Sequence, residues 1–392
     1  MTETKPIKPN LKIPTVIILA GKTGGPLIPL LAIDKNLTTH RTVLFGVRKG
    51  FEVNLAQSQN LPIYFLPEVK LHLLSFKKLN PLELIAGLFL TIWSIFAFGF
   101  SCFISMIYLL KLRPQLILSA GSFLAVPVLY TLTVLNKLKI LNTKVIIHQQ
   151  DPKPGISNRL TSRLATLGTV SYQYTKDNYP QFANYSLIPN PLDIERFALA
   201  KDKILIESNL QNFYELRALL SRRGLELPIL LIFGGGSGAQ FINGWVWDNI
   251  DSLSKNFDVI HLIGGNSIAK ESTNSCKLPI NYLQLNSLLE DMPNALVESD
   301  IVVCRSGLSS ITELEYLGKP ACLIPIPGSH QELNASLVKD KFTILDQSKA
   351  DLWLDQINQT YINSKGKSHN WSIDTKVKLE HYYQKVSELL NS

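Results

Sequence analysis

Short apolar runs recur along this 392-residue chain, and most neighbours leave room for a helix between them. That alternation limits the fold more than any other feature. The first series is Val16–Ala20, Thr42–Gly46, Pro62–Leu66, Gln115–Ser119, Lys144–His148 and Thr169–Tyr172. The second is Ile229–Phe233, Val259–Ile263, Tyr282–Leu285, Ile301–Cys304, Ala321–Ile324 and Phe342–Leu345. Runs of four or five residues are strand-sized, and continuous apolar character suits a strand covered on both faces. Strands alternating with helices build βαβ units and a parallel sheet. Two series of similar length predict an α/β chain of two doubly wound domains, residues 1–190 and 191–370, parted near Asn190-Pro191. An amphipathic segment, about Thr375–Leu390, reads as a closing helix within residues 371–392.

With 46% hydrophobic and 18% charged residues, the chain can bury large cores, which excludes global disorder. Cys102, Cys276, Cys304 and Cys322 show no C-x-x-C spacing, which argues against a disulfide framework or a zinc ribbon and fits a reducing compartment. The first 13 residues are rich in Lys and Pro, so no secretory signal is expected there. Charge is split unevenly. Residues 1–190 carry 20 Lys/Arg against 7 Asp/Glu, a net +13, whereas the remainder has 19 against 24, a net −5. A basic first half predicts an anionic partner: membrane surface, nucleic acid or phosphate. The densest run of aromatic residues sits in one uncharged block rather than interleaved with Lys and Arg, which disfavours nucleic acid.

That block, Ile85–Leu110, has 26 residues without Asp, Glu, Lys or Arg and includes Phe89, Trp93, Phe96, Phe98, Phe100, Phe103 and Tyr108. As one helix it would be about 39 Å long, enough to cross a bilayer. It lies between two strands of what reads as one sheet, so a helical hairpin or an in-plane insertion is expected instead of a single crossing. Lys77, Lys78, Lys111 and Arg113 flank it and suit lipid phosphates. Apolar character all round a helix requires burial somewhere, and membrane contact is the expectation.

Two strand-to-glycine junctions carry the first chemical signal. Val16–Ala20 runs into Gly21-Lys22-Thr23-Gly24-Gly25, and Ile229–Phe233 runs into Gly234-Gly235-Gly236-Ser237-Gly238-Ala239. Glycine lets backbone N–H groups approach a phosphate, and a following helix N-terminus favours negative charge. Gly21-Lys22-Thr23 is not a P-loop, because Val16 stands where that motif needs its first glycine. Neither junction is a G-x-G-x-x-G with an acidic residue closing the next strand, so a nicotinamide cofactor fits poorly. One such turn per domain suggests a ligand held between the domains. Further on stand Arg305-Ser306-Gly307, Glu313, Pro325-Ile326-Pro327 and His330-Gln331-Glu332-Leu333-Asn334-Ala335. A carboxylate near a Gly-rich turn can hold ribose hydroxyls, and Gln and Asn can pair with sugar hydroxyls. The plainer readings are a solvated helix carboxylate for Glu313 and a loop histidine for His330.

In this order the motifs resemble the MurG family, the glycosyltransferases that make lipid II. The family's G-G-T-G-G-H-x-x-P is similar to Gly21–Pro29, and its G-G-Y-x-S-x-P, loosely, to Gly121–Pro127. Its H-E-Q-N-x-x-x-G-x-x-N-R resembles His148-Gln149-Gln150-Asp151 followed by Gly155, Asn158 and Arg159, and its T-G-N-P-V-R resembles Ile188–Asp193. Its G-G-S-Q-G-A resembles Gly234–Ala239, with Asn243 following. A block from Asp291-Met292 to Arg305-Ser306-Gly307, and the H-Q-x-x-N-A box from His330 to Ala335, complete the likeness, which spans about residues 14 to 390.

The resemblance implies a GT-B fold, two Rossmann-like domains facing across a cleft, here with an apolar helical insertion. It implies a C-terminal domain that binds UDP-N-acetylglucosamine. The N-terminal domain would take a polyprenyl-pyrophosphoryl acceptor, undecaprenyl-pyrophosphoryl-N-acetylmuramyl-pentapeptide (lipid I), at the cytoplasmic face of the membrane, as a peripheral or monotopic protein. The implied reaction is transfer to the muramyl 4-hydroxyl with inversion, with no metal and no cofactor. By motif position Glu313 holds the ribose, Gln331 and Asn334 contact the donor sugar, and Gly235, Gly236, Ser237 and Gly238 line the diphosphate. Arg305 braces the turn that meets the uracil, while Thr23, Gly24, Gly25 and Asn158 fall in the acceptor and phosphate loops.

The chain departs from the pattern at the acceptor side. The first-motif His is Pro26, which has neither base nor donor. The Arg of T-G-N-P-V-R is Asp193, and the Glu and last Asn of H-E-Q-N are Gln149 and Asp151. Three readings follow: a lipid II synthase with a relocated base, an enzyme for another lipid acceptor, or a weakly active relative kept for binding. An inverting transfer needs a proton acceptor near the hydroxyl. The titratable residues nearest by motif are Asp151 and His148; Asp151 is favoured, and His148 reads more readily as a satisfied structural histidine.

Overall fold

The computed structural model describes residues 13–19, 21, 24–48, 51–67, 81–200, 208–222, 224, 226–235, 239–265, 278–288, 291–365 and 371–392. The chain divides into two compact units, Met1–Leu192 with Lys378–Ser392, and Asp193–Val377.

In the first unit the elements run β1 (Thr15–Leu19), α1 (Gly24–Lys35), β2 (Arg41–Gly46), α2 (Phe51–Ser58), β3 (Ile63–Phe65), α3 (Pro81–Leu112) and β4 (Leu116–Ser119). Then come α4 (Ala125–Lys137), β5 (Lys144–Gln149), α5 (Ile156–Thr161), β6 (Leu167–Val170), α6 (Gln173–Asn178) and β7 (Ser186–Leu187). The strands pair in the order β3-β2-β1-β4-β5-β6-β7, all parallel. Ile17, Leu19, Phe45 and Ile147 point one face of this sheet into a core closed by Val128, Leu129 and Leu132 of α4.

The second unit holds α7 (Glu195–Ala198), α8 (Ser208–Ser221), β8 (Ile229–Phe233), α9 (Gln240–Ser254), β9 (Asp258–Leu262), β10 (Tyr282–Leu285) and α10 (Met292–Glu298). It continues with β11 (Ile301–Arg305), α11 (Leu308–Leu317), β12 (Ala321–Ile324), α12 (His330–Leu337), β13 (Thr343–Ile344) and α13 (Trp353–Ser364). Its order is β10-β9-β8-β11-β12-β13, again all parallel. Leu230 and Ile232 pack with Ile242 and Val246 of α9 and with the fully buried Trp353 of α13. The last helix, α14 (Ile373–Asn391), belongs from Lys378 onward to the first unit, where Tyr383 Oη donates to the Leu192 carbonyl at 2.9 Å.

Each of the twelve apolar runs overlaps a strand. The strand that the pattern missed, β7, is two residues long with both side chains exposed, so it carries no apolar signature. In both sheets the strand order reverses beside the first strand, between β1 and β4 and between β8 and β11. Doubly wound sheets bind ligands beyond the strand C-termini at such a reversal, where successive helices leave on opposite faces and open a crevice.

The apolar block is not a hairpin. Helix α3 runs unbroken through it for 32 residues, about 48 Å. No proline stands inside the block, its two glycines, Gly87 and Gly99, stay helical, and Arg113 (φ +44) with Pro114 ends the helix. One face, Ser94, Ser101, Ser105 and Leu109, is buried. Cys102 on the same helix meets α4 through Thr131 Oγ1, which donates to its carbonyl at 3.5 Å. The opposite face presents Trp93, Phe96, Phe100, Phe103, Ile107 and Leu110, spaced three and four apart and all exposed. Trp93–Leu112 is long and apolar enough to cross a membrane, yet its most apolar window is only 17% buried. Because β3 before it and β4 after it lie in one sheet, a single crossing would part that sheet.

Candidate active site

The second unit gathers its motifs at the reversal between β8 and β11. Gly234 and Gly235 follow β8; Gly235 takes φ +102, which only glycine adopts without strain. Gly236, Ser237 and Gly238 lie outside the described residues. Across the reversal, Arg305 closes β11 and Ser306-Gly307 lead into α11, with Gly307 as its N-cap. Arg305 Nη1 donates to the carbonyls of Ile324 (3.2 Å) and Pro325 (3.4 Å) and to Gln347 Oε1, so it braces the turn after β12. Ser306 Oγ donates to the Gln331 carbonyl at 2.9 Å, and Ser329 caps α12 by accepting from Gln331 N. Gln331 Oε1 accepts from Ile326 N at 3.3 Å. Three loops are thereby joined into one surface at the C-terminal ends of β11 and β12.

Two donor-side residues stand differently from the sequence expectation. Asn334 has no exposed surface; its Nδ2 donates to the Ser306 carbonyl at 3.2 Å, and its Oδ1 has no partner. In this structure it ties α12 to the turn rather than offering itself to a sugar, because α12 buries the face on which it stands. Glu313, two turns into α11, is no solvated helix residue: it is 8% exposed and its Oε1 accepts from Arg196 Nη2 at 3.1 Å. Burial raises its pKa, against the lowering effect of Arg196. Arg196 was invisible to motif reading, since it stands 117 residues away on α7.

The first unit shows the same convergence. Gly21 follows β1, and a Cβ there would sit 3.1 Å from Ser122 Oγ in the turn after β4. Gly25 faces Gln150, and Gly121 takes φ +106 with Asn158 packed against it. The glycine motif, the Gly121-Ser122 turn and the end of β5 therefore meet at one edge. Thr23 lies outside the described residues, and Gly24 opens α1. Pro26 fits there because the first turn of a helix has no N–H to lose. Asn158, expected in an acceptor loop, is buried behind it and donates to Gln149 Oε1 at 2.6 Å and to the His148 carbonyl. Near this edge a cavity of about 470 Å³ opens between the ends of β2 and β3 and the outer face of α3, lined by Arg48, Phe65, Phe100, Ile104 and Tyr108. In the second unit a cavity of about 520 Å³ borders the start of β12, at the edge away from the glycines.

His148 does not face a ligand. It is fully buried on β5, with Nδ1 2.9 Å from Thr169 Oγ1 and Nε2 3.0 Å from Asn190 Oδ1. Burial pushes its pKa down to about 4. Both ring nitrogens are occupied, so the ring joins β5 to the segment before the second unit and is no base for substrate. Asp151 lies two residues past β5 and is half-buried; its carbonyl accepts from Gln149 Nε2 at 2.6 Å. Among the described residues no three His, Cys, Asp or Glu side chains converge as metal ligands.

The glycosyltransferase family 28 N-terminal domain matches residues 16–167, and the family 28 C-terminal domain matches residues 229–372. The chain belongs to glycosyltransferase family 28. A relative from Exiguobacterium sp., named UDP-N-acetylglucosamine–N-acetylmuramyl-(pentapeptide) pyrophosphoryl-undecaprenol N-acetylglucosamine transferase, is 27% identical over 86% of this chain and 87% of its own. One of the same name from Treponema denticola is 28% identical over 79% and 77%. The crystal structure of Acinetobacter baumannii MurG superposes with a TM-score of 0.61 over 97% of this chain and 99% of its own at 21% identity. UDP-GlcNAc 2-epimerase from Neisseria meningitidis, bound to UDP-GlcNAc, gives 0.57 over 96% and 99% at 13% identity. The fold is GT-B, and within family 28 this chain is a divergent MurG-like member. Its departures, Pro26, Gln149, Asp151 and Asp193, cluster in the first unit and at the start of the second.

Proposed function

We propose that this family 28 member transfers N-acetylglucosamine from UDP-N-acetylglucosamine to the muramyl 4-hydroxyl of lipid I, with inversion and without a metal ion, making lipid II. The observation that carries this reading is the placement of the motifs: in each sheet the Gly-rich turn stands at the strand-order reversal, where a GT-B chain holds its ligands. The turn after β8 and the N-terminus of α9 would face the donor diphosphate, whose charge grows as UDP leaves. Glu313 would accept from the ribose hydroxyls, Gln331 would meet the sugar, and Arg305 would hold the turn around the uracil. Asp151 would take the proton of the attacking hydroxyl. The outer face of α3, with Lys111 and Arg113 at its end, would rest on the anionic cytoplasmic face of the membrane.

Pro26 and Gln149 favour a second reading, a different polyprenyl or lipid acceptor for the same donor, because both replace polar family residues at the acceptor edge. One experiment separates the two. Labelled UDP-N-acetylglucosamine is incubated with a short-chain lipid I analogue and, in parallel, with membrane lipid extract. Label entering the analogue supports lipid II synthesis; label entering only other lipids favours the second reading. Label entering neither overturns both.

A further inference from the structure

Glu313 and Arg196 form a buried-edge ion pair that no motif predicts. Arg196 is held from two sides. Its guanidinium lies 4.9 Å from the Phe197 ring, and Nη2 donates to Glu313 Oε1 at 3.1 Å. Phe197 is itself fully buried, with its ring 5.9 Å from that of Tyr316. Tyr316 stands one turn beyond Glu313 on the same face of α11. The four-residue helix α7 is thus clamped to α11 at two successive positions, one apolar and one ionic. The pair spends only one carboxylate oxygen: Oε1 has Arg196, and Oε2 has no partner among the described residues. On the arginine side Nε is buried without a partner, so the guanidinium donates to Glu313 through a single N–H and not as a two-bond fork.

We propose that Arg196 is a positioning residue for the donor nucleotide: it fixes the Glu313 carboxylate by Oε1 so that Oε2 stands ready to accept from the ribose hydroxyls. This rests on the reading of Glu313 as the ribose acceptor. A carboxylate on a free side chain would lose rotamer freedom on binding, whereas a clamped one has already lost it. The Arg196 charge also favours the ionised carboxylate, against the larger effect of burial, which favours the neutral form, and a neutral acid is a weaker acceptor. Lysine would substitute only in part, because its ammonium is a point charge on a flexible stem with no planar face to lie on Phe197.

The test is the affinity of UDP relative to its 2′,3′-dideoxy analogue, measured by calorimetry. In the unmodified protein the ratio is expected at about 10- to 150-fold, the range for a charged hydrogen bond. Glu313→Gln should bring it near unity; a ratio unchanged by Glu313→Gln overturns the ribose reading itself. Arg196→Met, which keeps an apolar stem against Phe197, should cut the ratio at least fivefold while affinity for the dideoxy analogue holds. Arg196→Lys should give an intermediate ratio, and it stands alone as the test if the Met variant does not fold. With Glu313→Gln behaving as expected, an unmodified ratio in Arg196→Met or in Arg196→Lys overturns the positioning role. So does an equal loss for both ligands, which marks a merely structural pair.

Discussion

Acid should loosen the second unit through one side chain, His261. The ring is fully buried on β9, with Nε2 3.1 Å from Asn243 Oδ1 and Nδ1 2.9 Å from Tyr282 Oη. Asn243 Nδ2 already donates to the Ile263 carbonyl at 2.9 Å, which leaves Oδ1 to accept from the ring. Tyr282 Oη donates to Gln284 Oε1 at 3.1 Å and can accept from Nδ1, so the hydrogen bonds suit either protonation state, and what disfavours the imidazolium is burial with no counter-charge among these partners. Burial pushes the pKa down from 6.5 to about 3. The sign follows from where the proton goes. Below pH 6.5 the unfolded chain binds a proton that the folded interior refuses, so stability is full above 6.5 and falls as pH drops towards 3. At pH 5 the loss from this group alone comes to about 2 kcal/mol, before carboxylates of ordinary pKa contribute much. Urea titrations at pH 7, 6 and 5, followed by tryptophan fluorescence, read this unit, because Trp245, Trp247, Trp353 and Trp371 lie in it and Trp93 alone lies outside. The Trp247 ring, 6.2 Å from the imidazole, is a local reporter. His261→Gln starts less stable but should lose about 2 kcal/mol less between pH 7 and 5. Equal pH slopes in the two proteins would refute the argument.

Three further outcomes are expected. Replacing the exposed Phe96, Phe100 and Phe103 by Ser removes roughly 1.5–3 kcal/mol of apolar contact each, and the protein should cease to float with anionic vesicles while UDP binding persists; continued flotation removes α3 as the membrane contact. Asp151→Asn should cut turnover by about 10²–10⁴ with donor affinity intact, and near-normal turnover would sink Asp151 as the base. In Gly234→Ala the new Cβ would lie 2.2 Å from Ala239 Cβ and 2.9 Å from its backbone N, so the turn must shift. About 1–3 kcal/mol of stability and a large part of UDP affinity should go with it, as thermal melts and calorimetry would show; unchanged UDP affinity means that this turn is not at the diphosphate.

The α/β class was legible because parallel strands are buried on both faces. β1, β8 and β12 are apolar almost throughout, and a run of four or five residues is strand length rather than helix length. The turn glycines were legible as sites for a related reason, since a backbone that turns at φ near +100, as at Gly121 and Gly235, tolerates little else. The motif residues with long side chains were less so. Asn158 and Asn334 carry polar groups suited to a ligand, and in the structure both brace loops from within. A side chain's type does not say which way its Cβ points.

For α3 the composition announced an apolar helix in need of cover. That it is one unbroken element, with its serine-lined face buried and its aromatic face exposed, followed from packing beside α4, for the block carries no charge on any face to orient it. Likewise the sequence by itself determined the strand and helix order, the two glycine turns and the family, all of which rest on local spacing and residue type. Only the tertiary structure decided that His148 is interior, that α14 returns to the first unit, and that Arg196 meets Glu313. Each of those joins residues between 42 and 191 positions apart, and a contact at that separation is set by how whole elements pack, which no local pattern records.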